Sequence, residues 1–196
     1  MISPTSWRSC ALTWPNLGGR EPAAHFLRLM QKFLELDARL SQEVRVAERP
    51  GALRTVMAVL AHSGDSWLCL LALALLYFFG PPDWRPLEVS MGIGIVVTAV
   101  VVLLIKFTVR RQRPEGDWGG IYRSTDPHSF PSGHAARVMM LAVLAFASGP
   151  PELGVLVLLW AILVASARVM MGVHYLSDVL AGMLMGILMG LLILAL

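Results

Sequence analysis

Three groups of polar residues lie at the ends of long apolar runs, and their types suit the chemistry of a phosphate group. Unpaired charge is costly in hydrocarbon, so ionisable residues at the ends of membrane helices usually mark a functional site. Cations bind phosphate oxygens, and histidines with a carboxylate carry out nucleophilic and acid–base steps. In chain order these residues are Lys106, Arg113, Ser132, Gly133, His134, Arg168, His174 and Asp178.

The helix that begins at Ser132 is the predicted phosphate-binding element. Ser132 is a good N-cap, and the free backbone N–H groups of a first helical turn favour an anion. Gly133 lets that backbone approach a ligand closely. Lys106, Arg113 and Arg168 add positive charge that matches a phosphate dianion. The sequence contains no acidic cluster resembling a magnesium site, so we expect neither a metal nor another cofactor.

The two histidines are predicted to supply the chemistry. Asp178 follows His174 by one helical turn, so their side chains share a face. The carboxylate fixes the tautomer of the ring and stabilises the imidazolium, which leaves the other nitrogen free to attack. His134 is then the expected proton donor to the leaving oxygen. Arg137 lies on the same face as His134; we hypothesise that it contacts a second phosphate or a polar headgroup, the alternative being an interfacial arginine.

Apolar helices must hold these residues in place, and the composition indicates that the chain contains such helices. Of the 196 residues, 56% are hydrophobic and 15% are charged, which excludes an average soluble domain. Several runs approach the ~20 apolar residues that span a bilayer. The net charge of +3 is mild, and no basic run alternates with aromatic residues, so nucleic acid is not an expected partner. Cys10 and Cys69 have no metal-ligand spacing.

Proline and glycine breaks divide the apolar sequence into about five spans, which predicts an all-α polytopic membrane helix bundle. The three polar groups then share one membrane face, because the second and fourth spans end there and the third and fifth begin there. Gly182, Gly186 and Gly190 predict close packing of the fifth span. Asp65, near the start of the first span, is interpreted as a cap or interfacial residue. The apolar parts of the spans are residues 67–79, 87–106, 132–148, 152–168 and 175–196.

Two regions precede the membrane domain, which we assign to residues 55–196. Residues 1–21 contain prolines and a Gly-Gly pair but no apolar stretch typical of a signal peptide, so we expect a disordered leader. Residues 22–48 place apolar and charged side chains on opposite faces. This pattern predicts an amphipathic helix lying in the membrane interface. The alternative is a helix packed on a soluble partner domain.

Taken together, the polar groups resemble the three motifs of the type 2 phosphatidic acid phosphatase superfamily of membrane lipid phosphatases. The likeness covers roughly residues 60–196 and rests on Lys106-x6-Arg113-Pro114, Pro131-Ser132-Gly133-His134 and Arg168-x5-His174-x3-Asp178. The resemblance implies that His174 is the nucleophile, Asp178 its partner and His134 the general acid. It also implies a set of phosphate ligands: Lys106, Arg113, Ser132, Gly133 and Arg168.

The sequence departs from this family in two respects. Ala167 stands where the family usually has a serine directly before the arginine of its third motif, with Ser166 one residue earlier. One hydrogen bond to phosphate is therefore lost or replaced. Larger bacterial members have six spans, whereas five are counted here in addition to the interfacial helix.

The resemblance implies a metal-independent lipid phosphatase that works through a phosphohistidine. Undecaprenyl diphosphate is favoured as substrate, by likeness only, over phosphatidic acid, phosphatidylglycerol phosphate and lipid A phosphates. A lipid phosphotransferase that uses the same phosphohistidine is an alternative. A vanadate-holding haloperoxidase is disfavoured by the membrane spans and short chain, and a non-catalytic membrane protein by the intact pair of histidines and Asp178.

The side of the membrane that the site faces is predicted by two arguments that disagree. The chain is expected to be an integral protein of the bacterial inner membrane with a membrane lipid as its partner; the sequence leaves its oligomeric state open. Many arginines precede the first span on the same side as the site, and the positive-inside rule makes that side cytoplasmic. Similar bacterial lipid phosphatases commonly act on the outer face, and the outward orientation is favoured on that ground.

Overall fold

The structure is a computed structural model that describes residues 21–116 and 126–196. These residues form α-helices joined by short connections, with a single 3₁₀ turn at Pro82–Trp84 and one isolated β-bridge between Gln112 and His128. The prediction of an all-α protein is confirmed. The predicted disordered leader lies outside the described residues except for Glu21. The helices are α1 (Glu21–Glu43), α2 (Ala52–Ser63), α3 (Ser66–Phe79), α4 (Arg85–Val109), α5 (Gly133–Ser148), α6 (Pro151–Met170) and α7 (Leu176–Leu194).

The chain divides into two compact units, residues 1–35 and residues 36–196. The predicted interfacial helix at residues 22–48 corresponds to α1, which ends at Glu43 rather than at residue 48. The backbone then leaves the helical path, and the N–H group of Ala47 donates to the carbonyl of Met170. This tertiary bond replaces the one that a longer helix would have made within itself. Every predicted site residue belongs to the second unit.

The first predicted span is broken into two helices, α2 and α3, which meet at an angle of 61°. The bend falls at Gly64 and Asp65, whereas the sequence suggested one continuous helix. A Cβ at Gly64 would lie 2.9 Å from Cγ1 of Val164 and 3.1 Å from Cγ1 of Val138. The break is therefore a point where the backbone lies against α5 and α6 too closely for any larger residue.

Among residues 21–116 and 126–196, three helical segments are long and apolar enough to cross a membrane: Pro82–Val109, Pro151–Met170 and Leu176–Leu194. The bent pair α2 and α3 makes a fourth if it is one broken span. α5 is apolar but has only 16 residues, fewer than the ~20 that cross a hydrocarbon core. The protein is an integral membrane helix bundle, and the predicted count of five depends on α5 and on the bent pair.

Close packing of α7 on α5 brings together the starts of these two helices. An added Cβ at Gly182 would lie 2.5 Å from the carbonyl oxygen of Ser132, and one at Gly186 would lie 2.3 Å from that of Ala136. At Gly190 the added atom would lie 2.7 Å from Cβ of Val143. The small-residue face predicted from sequence is therefore confirmed, because only glycine permits this approach.

Candidate active site

The predicted site residues converge at one end of the bundle, each placed by a helix end or by the connection beside it. Lys106 lies in the last turn of α4 and Arg168 in that of α6. The backbone N–H of Ser132 donates to the carbonyl of Asp178 at 2.9 Å, which joins the second motif to the third. A cavity of about 230 Å³ opens between these elements. Its polar lining consists of Ser66, Thr98, Lys106, Asp126, His134, Arg137 and His174.

His174 has a defined tautomer because of its neighbour Arg113. Nη1 of Arg113 lies 3.2 Å from Nε2 of His174, and a guanidinium can only donate. Nε2 must therefore be the unprotonated nitrogen, and the proton of the neutral ring belongs to Nδ1. Burial lowers the pKa of His174 well below its usual value, and the charges of Arg113, Arg168 and Lys106 lower it further. A neutral ring with its lone pair on Nε2 is the form that a nucleophile requires.

Asp178 lies beside His174, but its two carboxylate oxygens form hydrogen bonds with other groups. Its Oδ2 lies 3.6 Å from Nδ1 of His174, beyond hydrogen-bond range. The same oxygen accepts the backbone N–H of Tyr175 at 2.9 Å, and Oδ1 accepts from Nη1 of Arg111 at 2.7 Å. Arg111 also donates to Oδ2 of Asp37 on α1 at 2.7 Å. Sequence reasoning placed the His174–Asp178 pair on one helical turn but missed Arg111 and Asp37.

The C-terminal part of α1 supports the start of α7. Oδ1 of Asp37 accepts the backbone N–H of Ser177 at 3.0 Å, and Oγ of Ser41 accepts that of Leu176 at 2.8 Å. Two orphan N–H groups of the first turn of α7 are thus satisfied from another helix. The four-residue spacing of Asp37 and Ser41 was the available sequence signal, since it puts both on one face.

Lys106 and Arg113 jointly bind the carboxylate of Asp126, which sequence reasoning did not single out. Nη2 of Arg113 donates to Oδ2 of Asp126 at 2.6 Å, and Nζ of Lys106 donates to the same oxygen. Burial would raise the pKa of Asp126, but its hydrogen bond to Lys106 and the nearby charges of Lys106 and Arg113 lower it overall. The two predicted phosphate ligands are therefore arranged to hold an anionic oxygen between them.

Ser132 and Gly133 occupy the predicted start of α5. Ser132 is at the N-cap position, but its side chain makes no capping hydrogen bond. Its Oγ is buried and has no hydrogen-bond partner within the described part of the chain, so this hydroxyl is available to a ligand. A Cβ at Gly133 would lie 3.3 Å from Cγ1 of Val102, which leaves little room for a side chain there.

Arg168 and Ala167 show what the third motif contributes at the end of α6. Arg168 is only 1% exposed, and its positive charge acts on both His174 and His134. Ala167 is fully buried in an apolar cluster with Ala47 and Ala61. The position that usually carries a family serine therefore serves packing in this protein.

His134 has a carboxylate partner from a distant part of the sequence. Its Nε2 lies 2.5 Å from Oδ1 of Asp65, and Oδ2 of Asp65 lies 3.2 Å from Nδ1 of His62. Asp65 holds the N-cap position of α3, yet its side chain makes no capping bond. Asp65 therefore holds the predicted cap position, but its carboxylate binds the two histidines instead of capping the helix. The available signal was a carboxylate next to a glycine inside an apolar run.

Arg137 also lines the cavity. Its Nη1 donates to the carbonyl of Gly64 at 2.5 Å, and the residue is 8% exposed. Its Nε, like Oγ1 of Thr98 on the cavity wall, is buried without a hydrogen-bond partner among residues 21–116 and 126–196. The residues that line the cavity thus include polar atoms that the described part of the protein does not satisfy. Throughout that described part, no cluster of three or more metal-ligating side chains occurs.

Comparisons with known proteins show the family to which this chain belongs. A sequence model described as the PAP2 superfamily matches residues 87–196. A decaprenylphosphoryl-5-phosphoribose phosphatase of Mycobacterium tuberculosis is 35% identical over 150 residues, which are 76% of this chain and 82% of the relative. An undecaprenyl-diphosphatase of Sulfolobus acidocaldarius is 31% identical over 134 residues, 66% of this chain and 64% of the relative.

A solved structure extends the likeness to the fold. The crystal structure of a transmembrane PAP2 type phosphatidylglycerolphosphate phosphatase from Bacillus subtilis superposes with a TM-score of 0.66 at 22% identity, covering 84% of this chain and 85% of the other. At that identity the superposition speaks for the fold alone. The matched residues 87–196 are more than half of the chain and include all three polar groups; this protein belongs to the PAP2 superfamily.

Proposed function

We propose that this PAP2 protein hydrolyses the phosphate ester or diphosphate of a membrane lipid through a phosphohistidine on His174. The observation that carries the proposal is the 3.2 Å contact between Nη1 of Arg113 and Nε2 of His174. This contact supports the proposal because it leaves Nε2 of His174 unprotonated next to Arg113, the proposed phosphate ligand. Asp178 is the partner of the nucleophile and His134 is the general acid.

In the proposed reaction the scissile phosphate replaces the carboxylate of Asp126 between Lys106 and Arg113. Nε2 of His174 forms the bond to phosphorus as the bond to the leaving oxygen breaks, and His134 protonates that oxygen. Water then attacks the phosphohistidine and restores the free ring. Charge on the equatorial oxygens is stabilised by Lys106, Arg113 and Arg168 with the start of α5 at Ser132 and Gly133.

The cavity lining at Thr98 and Arg137 supports a substrate with a second polar group between the scissile phosphate and the lipid tail. Thr98 precedes Lys106 by eight residues on α4, or about 12 Å along the helix. We assign the unsatisfied polar atoms of Thr98 and Arg137, which both line the cavity, to the part of the substrate next to its tail. Undecaprenyl diphosphate, whose inner phosphate meets this requirement, is the favoured substrate. Arg137 is assigned to that phosphate or to an equivalent headgroup.

Replacing Arg137 tests this assignment. Arg137→Ala is expected to raise KM for undecaprenyl diphosphate much more than for phosphatidic acid, which has one phosphate. A uniform rise for both substrates, or no rise, would remove Arg137 from substrate recognition.

The activity itself is tested with detergent-purified protein. Phosphate release is measured across undecaprenyl diphosphate, phosphatidic acid, phosphatidylglycerol phosphate and lipid A phosphates, with and without EDTA. We expect release without any acceptor lipid, which distinguishes hydrolysis from phosphotransfer, and little effect of the chelator. Vanadate, which mimics the trigonal-bipyramidal transition state, should inhibit. Strict dependence on magnesium would show that the cations of the site have been misassigned.

The proposed topology has five spans, formed by the bent α2–α3 pair and by α4 to α7, with α1 lying in the interface as the amphipathic region 22–48. Residues 55–196 form the catalytic domain. We place the protein in a bacterial inner membrane with the site facing outward. In a background free of Cys10 and Cys69, Pro127→Cys on the site side is compared with Asp83→Cys at the opposite end of α4. If a membrane-impermeant thiol reagent labels only the Pro127→Cys variant in intact cells, the site faces outward. If it labels only the Asp83→Cys variant, the site faces the cytoplasm.

A further inference from the structure

Asp65 joins the general acid to a part of the chain that none of the family motifs includes. The carboxylate lies at the bend between α2 and α3, 2.5 Å from Nε2 of His134. A carboxylate can only accept here, so Nε2 must carry a proton. A neutral ring would then have no proton on Nδ1. Only the doubly protonated ring has an N–H to give from that second nitrogen.

We propose that Asp65 is a positioning residue that fixes the proton on Nε2 of His134 and balances the charge of its protonated ring. This inference rests on the proposed role of His134 as general acid. As the phosphorus–oxygen bond breaks, the proton moves from Nδ1 of His134 to the leaving oxygen and the ring becomes neutral. In the second step Nδ1 takes a proton from the attacking water, which returns the ring to its charged form.

The charges around His134 explain why a dedicated anion is needed. Burial acts most strongly against a positive charge on the ring, the charges of Arg168 of α6 and Arg137 of α5 act in the same direction, and Asp65 acts in favour of it. His62, at the end of α2, shares the other oxygen of Asp65 at 3.2 Å. The bound phosphate adds negative charge from the cavity side. Asp65 is therefore the fixed counter-ion of the protonated ring, and Gly64 permits the bend that brings it there.

The same contact could be merely structural, and the side chain itself argues against that role. Asp65 occupies the N-cap position of α3 without capping it, so its carboxylate is not used to stabilise the helix start. Asp65→Asn preserves the size of the side chain and removes the charge. The variant is expected to fold normally while losing the function of the contact.

The test follows formation of the phosphoenzyme in single turnovers with two substrates. With phosphatidic acid, whose leaving group is an alkoxide, Asp65→Asn should slow the step by roughly 10²-fold, at the lower end of the contribution of general acid–base catalysis. With an aryl phosphate, whose leaving group needs little protonation, the loss should be under about tenfold. In addition, the alkaline limb of the pH–rate profile with phosphatidic acid should move to lower pH, because the charged ring has lost its counter-ion.

Three comparisons make the result decisive. An equal loss on both substrates with an unmoved alkaline limb would overturn the inference and leave Asp65 a structural residue. A loss in His134→Gln but none in Asp65→Asn would do the same while leaving the proposed function intact; no loss in His134→Gln would remove the proposed general acid itself. If Asp65→Asn does not fold, Asp65→Glu replaces it: the retained charge should keep the alkaline limb near its wild-type position, and a displaced limb would contradict the inference.

Discussion

The two histidines of the site are each matched with a carboxylate, and the two pairs differ in geometry, burial and origin. His174 and Asp178 are four residues apart and almost fully buried, yet their nearest polar atoms are 3.6 Å apart. His134 and Asp65 are separated by 69 residues and more exposed, yet they are in direct contact at 2.5 Å. The pair that is closer in sequence is the looser pair in space.

The difference corresponds to the role proposed for each ring. Asp178 also binds Arg111 and the backbone N–H of Tyr175. Little of its negative charge therefore remains to stabilise a protonated His174, and the ring stays neutral. A nucleophile needs that neutral state. Asp65 has no guanidinium partner within the described part of the chain, and its oxygens contact the two histidines His134 and His62. An acid catalyst needs the charged ring, and Asp65 is the neighbouring group that stabilises it.

The largest expected effect comes from removing the nucleophile. His174→Gln should fold normally and lose turnover by on the order of 10⁴-fold or more with every substrate, because the proposed nucleophile is gone. Phosphate release from phosphatidic acid and from an aryl phosphate measures this loss. Near-normal release with either substrate would show that His174 does not attack phosphorus.

Replacing the carboxylate of the buried pair should have the next largest effect. Asp178→Asn keeps the imidazole but removes the nearby negative charge that would stabilise the ring as it becomes cationic on attack, so we expect a fall of roughly 10³-fold. On an aryl phosphate the variant should lie between His174→Gln and His134→Gln in rate. A rate equal to that of the wild type would mean that the 3.6 Å contact contributes nothing.

The general acid should show an effect that depends on the leaving group. His134→Gln is expected to cost about 10²-fold with phosphatidic acid but to retain much of the activity with an aryl phosphate, since protonation then matters less. His174→Gln serves as the control because its loss should not depend on the substrate. Equal losses for the two variants on the aryl phosphate would contradict the division of roles between the histidines.

Replacing Arg111 should make the His174–Asp178 pair resemble the His134–Asp65 pair, whose carboxylate binds no guanidinium within the described part of the chain. Arg111→Gln removes the guanidinium from Asp178, whose freed charge should raise the pKa of His174 and move the acid limb of kcat/KM to higher pH. At neutral pH the loss should be about tenfold, with Arg110→Gln, at the exposed neighbouring position, as the matched control. An unchanged acid limb would show that Arg111 does not modulate the charge on His174.

The smallest effect is a pH dependence of stability. Because the pKa of folded His174 lies well below its usual value, the unfolded chain binds a proton there first as pH falls below about 6.5. The free energy of unfolding should therefore decrease from about pH 6.5 down to the folded pKa, by at most ~1.4 kcal/mol per pH unit for one proton. Thermal unfolding in detergent should show a shallower slope for His174→Gln. Identical slopes would mean that His174 is not buried in its neutral form.

The sequence was sufficient wherever the interacting groups are local or repeat with a helical period. Helix composition predicted an all-α membrane bundle, and the four-residue spacing of Gly182, Gly186 and Gly190 predicted the close packing of α7. The spacing of His174 and Asp178 likewise placed them on one face. Such inferences succeed because a helix fixes the relative positions of residues a few places apart, whatever surrounds it.

Contacts between distant segments were decided only by the tertiary structure. The bend at Gly64 depends on how closely α2 lies against Val138 of α5 and Val164 of α6, and it is this bend that delivers Asp65 to His134. Asp37 reaches Arg111 from α1 in the same way, across 74 residues. No local pattern distinguishes these carboxylates from helix caps or solvated charges, because a side chain's partner across the bundle is set by helix packing and not by its own neighbours in the chain.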